Sequence, residues 1–459
     1  MFTPEELRIY QGGVGTEEDI PSHVDSPTWI VDQAWDKVKE VAETSLDAYM
    51  NYCKTENIPH SYLLGLDILI TGVADETGNK ITDIRPTILE GPCCNSYPAC
   101  PNFFALRLYN NLLNKGLDPN AYVDSPTDPT KIVEKIVATF QQIWKAQGHD
   151  RPPVCAVFTR SYPESEEETA HILALEGFKK AGIEAYRITP SERPSVKDGK
   201  LWVAGRPVDM VHRRIERVHV PMFYGWELAM DIVYKTPDTI WINPWEVDRL
   251  RSKTLEERCF RMYEDKTGKT VSRPKTFLDD EINPNNIKQH LKTGGYALKK
   301  WNSSGGKGVF LHYYLPKVKK MFDYLYLKYD GIHMIEVNND NEKKFLDEFE
   351  NYIEDTAFQQ FRTIDARVTG DNSRLVYDTR INVLYNELTN KWEFLSGISR
   401  TVPCGPDVKK GNSCLTNVTS GANISPLIFG HTKNKDYSKM NFGPMLKALM
   451  EGKTEVELP

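Results

Sequence analysis

Tyr296–Val309 reads YALKKWNSSGGKGV. A short apolar stretch delivers Lys299 and Lys300 into the turn-prone run Asn302-Ser303-Ser304-Gly305-Gly306-Lys307-Gly308, and Val309-Phe310-Leu311 restores apolar character. The pattern predicts a strand, a glycine loop and a second strand. Glycine permits positive φ and close approach, so such a loop can turn backbone N–H groups toward a phosphate chain. Lys299 and Lys307 would add positive charge on either side. An ordinary hairpin with solvated lysines at its tip fits the same residues equally well. Two commoner phosphate loops are excluded. A Walker loop needs an upstream glycine and a Ser or Thr after the Gly-Lys. Here Gly308 follows Lys307, and the Gly-Lys-Thr runs at Gly268 and Gly452 lack that glycine. The GxGxxG spacing of dinucleotide and kinase loops is also missing from this stretch.

Outward from the loop, 459 residues suggest roughly two to four structural units. With 57 basic and 64 acidic residues the net charge is −7, which gives no overall pull toward nucleic acid or an anionic membrane. The opening MFTPEELRIYQGG has no apolar core of a signal peptide, and no apolar run approaches the ~20 residues needed to span a bilayer. Eight cysteines are too sparse for a disulfide scaffold. A cytoplasmic protein with reduced thiols is the expectation. Cys93, Cys94 and Cys100 lack a fourth ligand and the tight CxxC spacing of a zinc site, and read as small residues in a Pro-rich turn.

Periodicity places helices over Trp35–Tyr52, Phe103–Leu113 and Lys131–Trp144, and a strand over Leu66–Ile70. Ile84–Glu90 leads into the Cys/Pro turn. Residues 151–245 predict a crossover: a buried strand at Pro153–Phe158, a helix from an acidic start at Ser161–Glu168 through Lys180, a stop at Gly182, and a strand over Glu184–Ile188. Val208–Val211 reads as a further strand running into His212-Arg213-Arg214. Ser252 can cap a helix that places Lys253 in its first turn, where a cation is mildly unfavourable. Asp340–Ile353 predicts an amphipathic helix and Ala357–Phe361 a strand. Leu375–Leu384 alternates so that Asp378, Arg380 and Asn382 share one face. Trp392–Leu395 could pair with it through a turn at Glu387–Asn390.

Together these pieces resemble the ATP-grasp superfamily. The strongest match is Lys299 followed by Gly305-Gly306-Lys307-Gly308-Val309, in that family's order of strand lysine and then mobile glycine loop. Lys253 looks like the family's earlier nucleotide-contacting lysine, and Gln359-Gln360-Phe361 stands where the hinge strand would hold adenine. The segment ending His212-Arg213-Arg214, with Gly397-Ile398-Ser399-Arg400-Thr401, is most similar to the glutathionylspermidine-synthetase-like and circularly permuted branches. The resemblance implies an α/β chain that is α+β in its C-terminal part. It implies a mixed α/β region over 1–150, a Rossmann-like domain preceding the grasp over 151–245, and an ATP-grasp domain over 246–459 with a mobile lid subdomain at 293–361.

The resemblance further implies ATP and Mg2+. Lys253, Lys299, Ser304, Gly305, Gly306, Lys307, Gly308, Gln359, Gln360 and Phe361 would hold the nucleotide. Arg380 and Arg400 would stabilise the transferred phosphoryl group or hold a substrate carboxylate, with Asn417 and Ser420-Gly421 beside Arg400. The family closes its metal site with Glu-x-Asn. Here the triplet Glu336-Val337-Asn338 stands before the hinge strand, out of place for that role, which leaves Asp378, Glu393 and Asn382 as candidate magnesium ligands. Implied partners are a small-molecule carboxylate and amine, with no nucleic acid and no membrane; a homodimer is also allowed. The expected reaction is amide formation through an acyl phosphate. A small-molecule kinase of the same fold and a non-catalytic nucleotide-binding regulator stand as the alternatives.

Overall fold

In the computed structural model the described residues are 28–29, 32–74, 81–92, 129–159, 166–215, 217, 220–250, 253–274, 276–278, 281, 296–300, 309–311, 356–360, 367–368, 374–404 and 423–428. They mix helix and strand throughout. In chain order, β1 (Thr28–Trp29) precedes α1 (Asp32–Thr55), β2 (Leu63–Ala74), β3 (Ile81–Glu90) and α2 (Pro129–Ala146). Next come β4 (Cys155–Phe158), α3 (Glu166–Lys180), β5 (Ala185–Ile188), β6 (Ser195–Lys197), β7 (Lys200–Val203), β8 (Arg206–Val208) and β9 (Met210–Arg213). Then follow α4 (Val220–Tyr224), α5 (Trp226–Tyr234), β10 (Ile240–Ile242), a 3-10 turn (Trp245–Leu250) and α6 (Lys253–Thr267). The last elements are β11 (Thr276–Phe277), β12 (Tyr296–Lys300), β13 (Val309–Leu311), β14 (Thr356–Gln360), β15 (Arg367–Val368), β16 (Arg374–Asn386), β17 (Lys391–Cys404) and β18 (Asn423–Ile428).

The largest sheet runs β1-β18-β17-β16-β2-β3, with β15 also on β16. Its central strands are antiparallel, and β16 pairs β2 over Thr379↔Ile68 through Leu384↔Leu63. β2 and β3 therefore share a sheet with β16, β17 and β18. Antiparallel strands alternate sides, and this sheet uses both. Leu64, Leu66 and Ile68 of β2 and Ile381 and Val383 of β16 pack with α1 and α6 in one core. Trp35, Val38, Ala42, Leu46 and Tyr49 of α1 are fully buried there, at the three- and four-residue steps of one helix face. On the other side Leu63, Leu384 and Leu395 join a second core with α2, α3 and the parallel sheet.

That parallel sheet runs β10-β9-β4-β5. All three of its pairings are parallel, so the expected strand–helix–strand crossover is present as β4–α3–β5. Gly182, at φ 74°, turns the chain from α3 toward β5. Asn243, just past β10, docks this sheet on the first. Its Oδ1 accepts from the Tyr62 and Leu63 amides at 2.7 and 3.0 Å, and its Nδ2 donates to the Leu63 carbonyl at 2.8 Å.

The quoted hairpin is present as β12 and β13, with Lys299 opposite Val309. They belong to a third sheet, ordered β11-β14-β12-β13. Arg261 of α6 anchors its first strand, donating to the Thr276 carbonyl at 2.8 Å and to Glu281 at 2.6 and 2.8 Å. The helices expected at Phe103–Leu113 and Asp340–Ile353 lie outside the described residues, as do Cys93, Cys94 and Cys100. Among the described residues no helix is long and apolar enough to cross a membrane.

Candidate functional site

The predicted alternation of β16 puts Asp378, Arg380 and Asn382 on the face that also carries Asp67 and Arg400. Register fixes this: Arg380 lies opposite Asp67 on β2, and Asp378 lies opposite Arg400 on β17. Arg400 donates from Nε and Nη2 to Asp378 at 2.8 and 2.6 Å, and from Nη2 to Asp67 at 2.8 Å. Arg380 donates from Nε and Nη2 to the two oxygens of Asp67 at 2.5 and 2.7 Å. The result is a continuous chain of charges, Asp378–Arg400–Asp67–Arg380, of no net charge.

Burial of these groups is deep, and it is uneven. The Arg380 side chain keeps 18% of its surface exposed and that of Arg400 keeps 10%, while both carboxylates are buried. Burial alone would raise the Asp67 pKa. The Arg380 and Arg400 guanidiniums outweigh it and hold the carboxyl below its usual range, against a smaller upward push from Glu90. Burial likewise works against Arg400, and Asp378 and Asp67 more than restore its charge. Asp67 and Arg400 therefore both carry their charge at neutral pH.

Glu90, opposite Asp67 at the end of β3, extends the cluster. Lys253 reaches it from the first residue of α6, Nζ to Oε1 at 2.8 Å. The lysine that sits awkwardly against the helix dipole is thus matched by a carboxylate. Glu256, one turn on, accepts from the Gly91 amide at 2.7 Å and fixes the chain leaving β3.

Arg213 ends β9 and is fully buried, donating twice to Asp248 at 2.7 Å and once to the Asn243 carbonyl at 2.7 Å. Its guanidinium lies over the Trp245 ring at 4.4 Å. It is a structural tie rather than a solvated strand end. His212 beside it is held neutral by burial and by Arg214, with its pKa pushed down to about 3.

The sequence-predicted residues fall into three groups. Asp378, Arg380 and Arg400 converge, with Lys253 reached through Glu90 and Asp67. Lys299 stands on β12 opposite Ala357, Gln359 opposite Ala297, and Gln360 opposite Tyr296, so the lysine and both glutamines share the third sheet. Ser304, Gly305, Gly306, Lys307, Gly308, Phe361, Asn417, Ser420 and Gly421 lie outside the described residues.

The magnesium set fits poorly. Glu393 pairs with Leu384, six positions along β16 from Asp378, or about 20 Å at ~3.3 Å per residue. Its carboxylate takes Lys135 at 2.7 Å and the Asn386 amide at 2.7 Å instead. Asp378 gives both oxygens to Arg400. Asn382 is buried two residues past Arg380, toward the apolar end of the face. Asp378, Asn382 and Glu393 do not form a magnesium site, and among the described residues no group of three acidic, histidine or cysteine side chains does.

Asp67 and Glu90 were not singled out by sequence reasoning. The signal for Asp67 was available as a lone carboxylate inside the apolar run Leu63-Leu64-Gly65-Leu66-Asp67-Ile68-Leu69-Ile70. A charge in a strand buried on both faces needs a partner.

No family model matches the chain, and no curated protein does. Solved structures give partial likenesses. A glutathione synthetase-like effector from Globodera pallida has a TM-score of 0.41 at 14% identity, covering 80% of this chain and 84% of that one. A putative gamma-glutamylcysteine synthetase from Methylobacillus flagellatus has a TM-score of 0.45 at 8% identity, covering 86% and 88%. A D-alanyl-alanine synthetase from Vibrio cholerae has a TM-score of 0.30 at 11% identity, covering 65% and 82%. At those scores the likeness decides nothing about activity.

Proposed function

We propose that the protein is an ATP-dependent carboxylate–amine ligase. The observation that carries this reading is the Asp378–Arg400–Asp67–Arg380 chain, continued by Glu90 and Lys253, on one sheet face. A buried ionic cluster adds little stability over an apolar core of the same volume. Such a cluster fits a place that must meet charged ligands.

A carboxylate is a poor acyl donor because oxide leaves badly. Attack by one of its oxygens on the γ-phosphorus of ATP breaks the bond to ADP and gives an acyl phosphate. The amine lone pair then attacks the carbonyl carbon. Phosphate leaves with its bonding electrons, and the amine loses a proton. The protein's task is to position anions and neutralise charge. Arg380, the more exposed guanidinium, meets the substrate carboxylate or the transferred phosphoryl group. Arg400 and the two aspartates hold Arg380 in place. Lys299 and the glycine loop from Ser304 to Gly308 engage the phosphates, with Gln359, Gln360 and Phe361 around the base.

Incubation with ATP and mixed pools of amino acids and polyamines tests this by following ADP, phosphate and amide together. Amide formed in step with ADP is expected. A phosphorylated hydroxyl without amide replaces the ligase by a kinase, and nucleotide binding without turnover replaces it by a regulator. Lys299→Ala is expected to weaken ATP binding roughly ten- to a hundredfold by calorimetry, the ~1.5–3 kcal/mol of a charge-assisted contact. Unchanged affinity removes Lys299 from the site.

A further inference from the structure

α5 carries two parallel stripes. Trp226, Met230 and Tyr234 recur every four residues on one, and Met222 of α4, before the break at Gly225, is exposed as well. Met222 and Trp226 are each 74% exposed, Met230 49% and Tyr234 57%. The opposite side of the helix buries Ala229 and Ile232. The second stripe, one residue on, reads Glu227, Asp231, Lys235: two negative charges and then one positive. Lys235 meets Asp231 at 2.6 Å, and Arg217 lies over the Tyr234 ring at 4.9 Å, adding a second cation at the C-terminal end.

Large side chains bury about 150–250 Å² each. At these exposures the four offer on the order of 500 Å², near the top of the range for a monomer surface and short of the ~800 Å² per partner of a stable interface. The surface is a convex helix, which suits a matching helix rather than a bound peptide or small molecule. Its charge order is self-complementary. When two copies of α5 pack antiparallel across a two-fold axis at Met230, Trp226 lies against the partner's Tyr234. Glu227 then faces the partner's Lys235 and Arg217. The two Asp231 carboxylates approach each other, each already neutralised by its own Lys235. The flanking charges supply the remaining rim area.

We propose that the exposed face of α4 and α5 is the two-fold interface of a homodimer. Sedimentation equilibrium of the full chain, from nanomolar to tens of micromolar, tests it. The expected mass rises from 52.6 kDa to twice that value. Trp226→Glu and Met230→Glu are expected to keep the mass at one chain throughout, with unchanged circular dichroism. Should either variant misfold, charge reversal decides. Glu227→Lys and Lys235→Glu each weaken association at least fivefold, and the double reversal restores part of the loss, because residues 227 and 235 again attract across the interface while Asp231 has lost its cation. A monomeric wild-type chain overturns the proposal. So does a dimer indifferent to Trp226→Glu, or a double reversal no better than its singles.

Discussion

Arg400 touches both aspartates of the central cluster, and Arg380 holds Asp67 through two hydrogen bonds. Removing Arg400 leaves Asp378 buried without its bidentate partner and halves the compensation at Asp67. Arg400→Ala is expected to cost about 3–5 kcal/mol of unfolding free energy in urea titrations. Arg380→Ala keeps Arg400 on Asp67 and opens at the exposed end, so about 1–3 kcal/mol is expected. Ligase turnover should vanish in both. Equal losses of stability would mean that the two arginines share the aspartates evenly. Asp209 presents a separate case. Its buried carboxylate accepts from Arg151 at 2.7 and 2.9 Å, from the Val154 amide at 2.9 Å and from Lys200 at 2.9 Å. Burial would raise its pKa, but these partners lower it from 3.8 to about 2. A depressed folded-state pKa stabilises above the unfolded value, and that stability is lost as pH falls from about 4 toward 2. On the order of 1–2 kcal/mol should disappear across that window, and Asp209→Asn should flatten the acid limb of the stability curve there. An identical acid limb in wild type and variant would show that Asp209 is not the group titrating.

Elements bring together residues that look unrelated in the chain, and Gly177 shows how tightly. A Cβ on this residue of α3 would stand 2.1 Å from Cγ1 of Val133 on α2. Alanine in place of glycine normally favours a helix interior by about 1 kcal/mol. The clash opposes it, since forcing an extra carbon into a packed contact costs about 1–3 kcal/mol. Gly177→Ala should therefore lower stability by up to about 2 kcal/mol, and pairing it with Val133→Ala should recover part of the loss in a thermal melt. A stabilised single variant would show that α2 and α3 separate easily. The same helices show what local sequence can reveal. The apolar steps of α1 and α2, the β4–α3–β5 crossover and the alternation of β16 were all readable, because each depends on neighbours within about two turns or a few residues. β17 was harder. Trp392–Leu395 and Gly397–Arg400 read as separate pieces, yet they form one strand with a register shift opposite Ile381 and Val383. A bulge breaks the alternation that marks a strand, so the pattern faded where the strand continued. Arg213 carries no local mark of burial either, since its partner Asp248 comes from the 3-10 turn beyond β10.

At the scale of the molecule, long-range pairing decides the candidate site. β2, which carries β3 on its other edge, pairs with β16 about 300 residues further along the chain, and neither edge announces the other in sequence. For that reason Asp378, Arg380 and Arg400 were readable as candidates, whereas Asp67 and Glu90, which complete the cluster, were not. The same topology makes the N-terminal region dependent on the C-terminal one. Ile381, Val383, Phe394 and Leu427 pack in one core with α1, Leu64, Leu66 and Ile68. A chain ending at residue 361 would leave β2 without its β16 partner and expose that apolar face of α1. Its unpaired edge would also be open to intermolecular pairing. Such a chain is expected to bind a hydrophobic dye and to lose the cooperative melt of α1 followed by circular dichroism, and co-expression with residues 362–459 is expected to reverse both changes. The parallel sheet holds most of its own core, from Ala156 and Phe158 to Trp241 and Trp245, and depends less on the missing strands. Amide exchange in the truncated chain should therefore be fast in α1, β2 and β3 and slower in β4, β5 and β9. Uniform protection across both regions would mean that residues 32–90 hold their fold without β16. The charged cluster could not then depend on pairing across the length of the chain.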